Sequence, residues 1–429
     1  MKKIISILFS LLIFFNLHAQ ENLKFYIEKA LKNNLQLNAE RKNFDSAKQS
    51  KNISRSEFLP NITISGNQNS STSTNRKNQS GSSLADTNLD SENKTISIEQ
   101  KIFSGFKGFN TFKKSELENQ KANLSLKKVE QLTILDSAFA YFDIIFKSKN
   151  ENFNRSNVNL FERQVESDSA RIQKGEITLT DLAQSESSLA GANANLIKAK
   201  TELLASLTNF ERVTREKAPN SENLNEKVAL ILPETLNASL ELANLNNLDL
   251  LIARLDYEIA VKNLNIERAR LSPSASINYS KSENKDFSSA VNDTDQETVK
   301  ATVKWPIIKG GENISSIKKS SYDKQRSQLI LQDTKNKIIT ETSNSWSKYQ
   351  SSQSVLQATR AQLKAAEIAN EGITLEYDSS NTRTTLEVIQ SRSLLLDARI
   401  AFARSERDFI VTQFELAKKI GLLSIKSLK

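Results

Sequence analysis

The sequence predicts a mainly α chain with a β portion, built as one helix–β-hairpin–long helix–helix unit written twice. Three observations predict it: a self-match at a nearly fixed offset, helical stretches longer than a compact domain uses, and two pairs of short alternating strands. Glu28 to Pro60 lies on Glu241 to Pro273 at an offset of 213, so that Asn33, Asn34, Leu35, Leu37 and Pro60 meet Asn246, Asn247, Leu248, Leu250 and Pro273. Further on, Ile98, Ile102 and Gly105 meet Val303, Ile307 and Gly310 at 205. Later still, Thr178, Leu182, Gln184 and Ser185 meet Thr384, Val388, Gln390 and Ser391 at 206. Self-similarity on this scale sets the architecture before any local reading does.

The N-terminus reads as an export signal. Lys2 and Lys3 precede an apolar run from Ile4 to Leu17, with a cleavage site expected after Ala19. The expected organisation is a signal peptide at 1–19, a first repeat at 20–218, a linker at 219–233 framed by Pro219 and Pro233, a second repeat at 234–423 and a tail at 424–429. Pro60 and Pro273 each end a helix and open a strand, because the residue before proline is pushed out of the α region.

Helices are expected over roughly 21–58, 108–173 and 180–215, and again over roughly 234–271, 312–378 and 385–421. The two longest would each span about 100 Å at 1.5 Å per residue, a length that belongs to coiled coils. Leu132, Leu135, Phe139, Phe142, Phe146 and Phe153 fall on a heptad seam, continued more loosely in the second copy by Trp346, Tyr349 and Leu356. An ordinary bundle core accounts for the same seam without any tunnel.

Strands are expected at about 60–70 and 94–104, and at about 273–281 and 297–308. Val299, Ala301, Val303, Trp305 and Ile307 alternate with Lys300, Thr302 and Lys304. One apolar and one polar face on strands of this length suit a transmembrane barrel wall, with outer-membrane lipid on one side and water on the other. Phe103, Phe106 and Trp305 lie at the helix-facing end, where interfacial aromatics belong. The Ser/Asn-rich stretches 68–93 and 281–297 read as surface loops. A small soluble β-domain is the alternative. Four strands cannot close a barrel alone, since their edges would expose unpaired backbone to lipid. The barrel reading therefore requires oligomerisation: two chains give eight strands and a filled interior, three give twelve and room for a pore.

Composition narrows the chemistry. There is no Cys, and the single His, His18, falls in the expected signal, so imidazole and thiolate chemistry are excluded from the remainder. No cofactor, no metal site and no enzymatic activity are expected. The net charge of +9 drops to +7 without Lys2 and Lys3. Basic and acidic residues interleave along helices, which gives nucleic-acid binding no support.

The duplicated order over residues 21–421 and two turn segments carry a resemblance. The segments are Lys174-Gly175-Glu176-Ile177-Thr178-Leu179-Thr180-Asp181-Leu182 and Thr382-Arg383-Thr384-Thr385-Leu386-Glu387-Val388-Ile389-Gln390. Together they resemble the TolC-like outer-membrane efflux family. The resemblance implies a homotrimer with a twelve-stranded barrel in the outer membrane of a Gram-negative bacterium and a periplasmic α-helical tunnel. It implies a passive export conduit of a tripartite efflux or type I secretion system, opened by a periplasmic adaptor and an inner-membrane pump. It also implies an entrance gate in which Asp181 pairs with Tyr377 and Arg383 bonds near Thr180, with Glu387 forming an acidic ring. Gln390 stands where the family often has a second acid, and Ser379-Ser380-Asn381-Thr382 is one residue longer than the family pattern and lacks its glycine. Thr178-x-x-Asp181 and Thr384-x-x-Glu387 are also capping boxes, which alone suffice to place those residues at helix starts. The other functional reading is a periplasmic coiled-coil scaffold or adaptor without a pore.

Overall fold

The computed structural model describes residues 23–219, 224, 230–288, 291–380 and 383–427. The expected signal peptide, and the larger part of the expected linker, lie outside the described residues. The chain is mainly α: α1 (Leu23–Asn33), α2 (Leu35–Arg55), β1 (Asn61–Ser73), β2 (Thr87–Phe103), α3 (Lys107–Gln173), α4 (Leu179–Thr214), α5 (Leu236–Asn246), α6 (Leu248–Ala269), β3 (Ser274–Ser288), β4 (Val291–Lys304), α7 (Glu312–Ser380) and α8 (Thr385–Lys419). Among the described residues no helix is long and apolar enough to cross a membrane.

The helices expected as single runs over 21–58 and 234–271 are each broken once, at Asn34 and Asn247. The Asn34 side-chain oxygen accepts from the Leu37 N–H at 3.0 Å, and that of Asn247 from the N–H groups of Asp249 and Leu250 at 2.9 and 3.2 Å. An Asn that satisfies the N–H groups of the next turn starts a new helix at that point. Each amide nitrogen then reaches a carbonyl in or at the end of another helix: Asn34 donates to Val213 at 3.5 Å and Asn247 to Lys419 at 2.9 Å. Val213 and Lys419 stand 206 apart, so both copies make the same contact.

Two compact units form. The first takes the described residues up to Arg41, those within Leu126–Leu250 and those from Lys335 onward. Its core gathers Tyr26, Ile27, Ile134, Ala138, Tyr141, Phe142, Ile145, Phe210 and Phe414, with the Tyr26 ring edge-on to Phe210 at 5.0 Å. The expected seam is only partly this core. Phe142 and Phe146 are buried, but Phe139 is 42% exposed, and Ile134, Ala138, Tyr141 and Ile145 occupy the inner stripe. The exposed Phe139 and the buried Phe146 stand one heptad apart, so the heptad seam and the buried stripe of the protomer are not the same face. Arg407 and Asp143, both mostly buried, pair at 2.6 Å.

The second unit takes Lys42–Ser125 and Leu251–Thr334. Its sheet has the order β1-β2-β3-β4, antiparallel throughout, with β2 of the first copy paired to β3 of the second. The register puts Ile62, Ile98, Tyr279 and Val299 in one row and Thr63, Ser97, Ser280 and Thr298 in the next, on opposite faces. Ile62, Ile64, Ile96, Ile277, Val299 and Val303 share the first face, and all are exposed in the protomer. On the other face Asn93 donates to the Asn284 side-chain oxygen, and the Thr95 and Ser282 hydroxyls are 3.0 Å apart. The stretches expected as loops are largely strand: β1 runs on to Ser73, β2 begins at Thr87, β3 reaches Ser288 and β4 begins at Val291. Ladder bonds belong to the backbone and continue past the apolar band. Both faces there are polar, so the alternation that marks a strand in sequence fades.

Helix ends explain two glycines. Gly421 follows α8 with φ +76°, and a Cβ there would come within 2.2 Å of the Asn246 carbonyl oxygen. Gly175 follows α3 with φ +73°, but a Cβ would meet nothing within 4 Å. Gly421→Ala is expected to cost about 3 kcal/mol or more, combining left-handed strain with a backbone clash. Gly175→Ala should cost only about 1 kcal/mol. Chemical denaturation of the two variants in detergent would show equal shifts if the Asn246 contact were unimportant.

Candidate functional site

The ends of the α3–α4 and α7–α8 pairs belong to the first unit and hold the expected gate residues. Both partner helices start with a complete capping box. Thr178 accepts from the Asp181 N–H at 3.3 Å while the Asp181 carboxylate accepts from the Thr178 N–H and hydroxyl at 3.0 and 2.7 Å. Thr384 and Glu387 repeat the arrangement at 3.3, 2.8 and 3.1 Å. These bonds to the ionised form hold both acids below their ordinary range: for Asp181 the Thr178 hydroxyl leads, for Glu387 the Thr384 backbone N–H, followed by Arg383.

The expected pairings do not form within the protomer as written. Arg383 is held by Glu376 at 2.6 Å and Glu387 at 3.0 Å rather than near Thr180, which is exposed. Two carboxylates within reach outweigh a neutral hydroxyl, because bonds between charged groups are about twice as strong. These two carboxylates raise Arg383's affinity for its proton further. The Tyr377 hydroxyl turns away from Asp181 to a different acid. It donates to Asp168 Oδ1 at 3.1 Å, accepts from Gln164 at 3.3 Å and lies 3.3 Å from the Thr385 hydroxyl. Gln390 is exposed.

Asp168 is the centre that sequence reasoning missed. It is fully buried, and its carboxylate also accepts from Ser185 at 2.6 Å and from Gln164 at 3.0 Å. Arg392 adds a bond to the Gln164 oxygen at 3.1 Å, and burial lowers its guanidinium's hold on its proton. The Arg171 guanidinium sits 4.8 Å over the Tyr377 ring. All four helices α3, α4, α7 and α8 contribute. The copies are equivalent in position but not in chemistry. At an offset of 206, Ser185, Gln164, Asp168 and Arg171 correspond to Ser391, Asn370, Thr374 and Tyr377. In the second copy Ser391 donates to Asn370 at 3.0 Å, while the buried Thr374 hydroxyl has no protein partner among the described residues. A signal for Asp168 exists: Phe161, Gln164 and Asp168 share the buried face of α3 at helical spacing, and an acid on such a face needs donors.

The aromatic residues expected at an interface belong to the second unit. Phe103 and Phe106 meet edge to face at 5.7 Å, and the exposed Trp305 indole donates to the Leu271 carbonyl at 3.0 Å.

Comparison with known proteins places this geometry. The family model described as outer membrane efflux protein matches residues 26–214 and 239–422. The chain is 24% identical over 414 residues to the outer membrane efflux protein BepC of Brucella suis, covering 95% of this chain and 87% of the relative. It is 23% identical over 446 residues to the outer membrane protein TolC of Escherichia coli, covering 100% and 88%. Its fold is similar to that of the Campylobacter jejuni CmeC outer membrane channel, with a TM-score of 0.81 and 15% identity over 93% of this chain and 85% of the other.

Two outcomes follow from the helix ends. Tyr377→Phe removes one of the donors to Asp168 and should cost about 1–3 kcal/mol. Hydrogen exchange should quicken in the last turns of α7 and the first of α8; unchanged protection would make the hydroxyl incidental. The capping acids have depressed folded pKa values, so their contribution is present above the ordinary carboxylate range of about 3.9–4.3 and is lost as pH falls through the folded values. After correction for intrinsic rates, first-turn amides of α4 and α8 should lose protection below about pH 4. Thr178→Ala and Thr384→Ala should blunt that dependence; an undiminished response in both would remove the caps as its cause.

Proposed function

Because this chain belongs to the outer membrane efflux protein family, we propose that it is an outer-membrane export channel that closes its barrel by homotrimerisation. The observation that carries the closed barrel is the sheet itself. It is open, with an apolar and exposed band on one face, polar residues on the other, and β1 and β4 as its outer strands. In lipid those outer strands need partners, because an unpaired backbone group in hydrocarbon costs several kcal/mol. Pairing β4 of one copy with β1 of the next satisfies both edges, and three copies give twelve strands around a water-filled lumen. Phe103, Phe106 and Trp305 then sit at the inner membrane–water boundary.

The conduit is passive, working in a tripartite efflux or type I secretion system beside a periplasmic adaptor and an inner-membrane pump. Its gate is assigned to the α3–α4 and α7–α8 ends, where Arg383 ties Glu376 to Glu387 and Tyr377 ties α7 to Asp168. Thr180, Asp181 and Gln390, exposed or capped within the protomer, are the residues available to neighbouring copies. Glu387 is countered by Arg383, so the acidic ring is weak at rest. A pore-less scaffold has no use for an apolar sheet face, and family membership sets that reading aside.

Single-channel conductance in planar bilayers tests the proposal. Wild-type protein should conduct weakly and Arg383→Ser more strongly. Equal, finite conductances would keep the channel and reduce Arg383 to a helix-end residue. No current from either protein, with insertion verified, would remove the channel.

A further inference from the structure

The polar face of the sheet is not uniform. From the distal ends of the strands to the row of Thr63, Ser97, Ser280 and Thr298, the residues on this face are almost all uncharged hydroxyl and amide side chains. Apart from Asp286 near the far end of β3, charge enters in the last rows, where the strands join the helices, as Glu99, Lys101, Lys300 and Lys304. Lys101 is neutralised by Glu57 at 3.2 Å. Lys300 and Lys304 are exposed and make no ion pair among the described residues. Glu99 shares a row with Lys300, but Asn278 on β3 stands between them. Two strand spacings, about 10 Å, separate their backbones, and the two side chains make no ion pair among the described residues. Each protomer therefore presents a net positive charge at this level.

Closure of the barrel does not cancel it. β4 is an outer strand, and the next copy would bring β1 against it. The foot of β1 offers Asn61 and Thr63 on this face, and no acid. Lysines on outer strands also discourage edge pairing, but a β4 that is itself paired in the assembled barrel has no edge left to protect.

We propose that Lys300 and Lys304 form a cationic collar at the foot of the barrel lumen, six lysines in the trimer, that favours anionic solutes in transit. This rests on the barrel reading above. A ring of like charge in a pore biases which ions pass, and its reach follows the Debye length, about 10 Å at 0.1 M salt and 3 Å at 1 M. The collar therefore selects carboxylate- or phosphate-bearing cargo over cations at moderate ionic strength, while the uncharged rows beyond it remain indifferent.

Reversal potentials across a KCl gradient near 0.1 M test the collar on the purified oligomer in planar bilayers. Wild type should pass chloride in preference to potassium. The Lys300→Gln/Lys304→Gln double variant should lower that preference about threefold or more, and the difference should shrink near 1 M salt. Glu99→Gln should raise the preference; a fall would count against the assignment. Both sets of substitutions lie on an exposed face, so the fold should survive them. Finite conductance with an unchanged reversal potential in the double variant would overturn the collar and leave the channel standing. No conductance from inserted wild type would overturn the barrel, and the collar with it.

Discussion

A backbone N–H or C=O removed from water must be paired, and in this chain the demand falls on the two outer strands of one sheet. The sheet satisfies its interior by joining the copies: β2, the last strand of the first hairpin, pairs with β3, the first of the second. That leaves β1 and β4 as the outer strands. The exposed apolar face adds a second demand, since Ile62, Ile64, Val299 and Val303 have no cover within the protomer. In the barrel proposed above, lipid would meet the second demand and a neighbouring copy the first, so assembly and insertion would be linked through one set of strands. A protomer that inserted alone would carry two rows of unpaired backbone into hydrocarbon.

The duplication reaches into single hydrogen bonds. Asn34 to Val213 and Asn247 to Lys419 are one contact made twice, and Arg215 and Gly421 hold the same left-handed position after α4 and α8. Copy two needs glycine there because its chain end approaches the Asn246 carbonyl. Elsewhere the copies have been put to different use. The position occupied by Asp168 in the first is Thr374 in the second, and Arg171 in the first is Tyr377 in the second. Those last two now stack on each other.

Much of this was readable from the sequence, and the misses have physical reasons. Offsets and proline positions gave the element order, because prolines and repeat periods act locally. The breaks at Asn34 and Asn247 were also present, as an Asn-Asn-Leu run in each copy, but Asn within a helical pattern is ambiguous until its side chain is seen capping. The strands beyond the apolar band could not be delimited, since polar residues on both faces leave no alternation. The gate pairs came from a resemblance rather than from spacing, and what the protomer adds is its own internal bonds: Glu376 and Glu387 hold Arg383, and Asp168 holds Tyr377. Asp168 itself was legible only as a charge on an apolar face, a pattern that gives burial but not the partners.

The buried cluster around Asp168 answers a problem that long helices create. A seam of apolar residues repeating every three or four positions tolerates sliding by a heptad, because one Leu or Phe replaces another. Polar groups do not slide without loss: a buried carboxylate moved by one turn would leave Ser185 on α4 and Tyr377 on α7 without their acceptor, each at a cost of about 1–3 kcal/mol. A single buried polar network can therefore fix the register of paired helices where hydrophobic packing cannot. It does so here with one acid rather than two, which also fixes identity. Asp168 on α3 has its tyrosine partner on α7 and its serine partner on α4, and Thr374 cannot take its place. The asymmetry that accumulated between the copies is what gives α3 and α7 distinct partners, and so a defined neighbour, at the end of the bundle where the helix pairs turn.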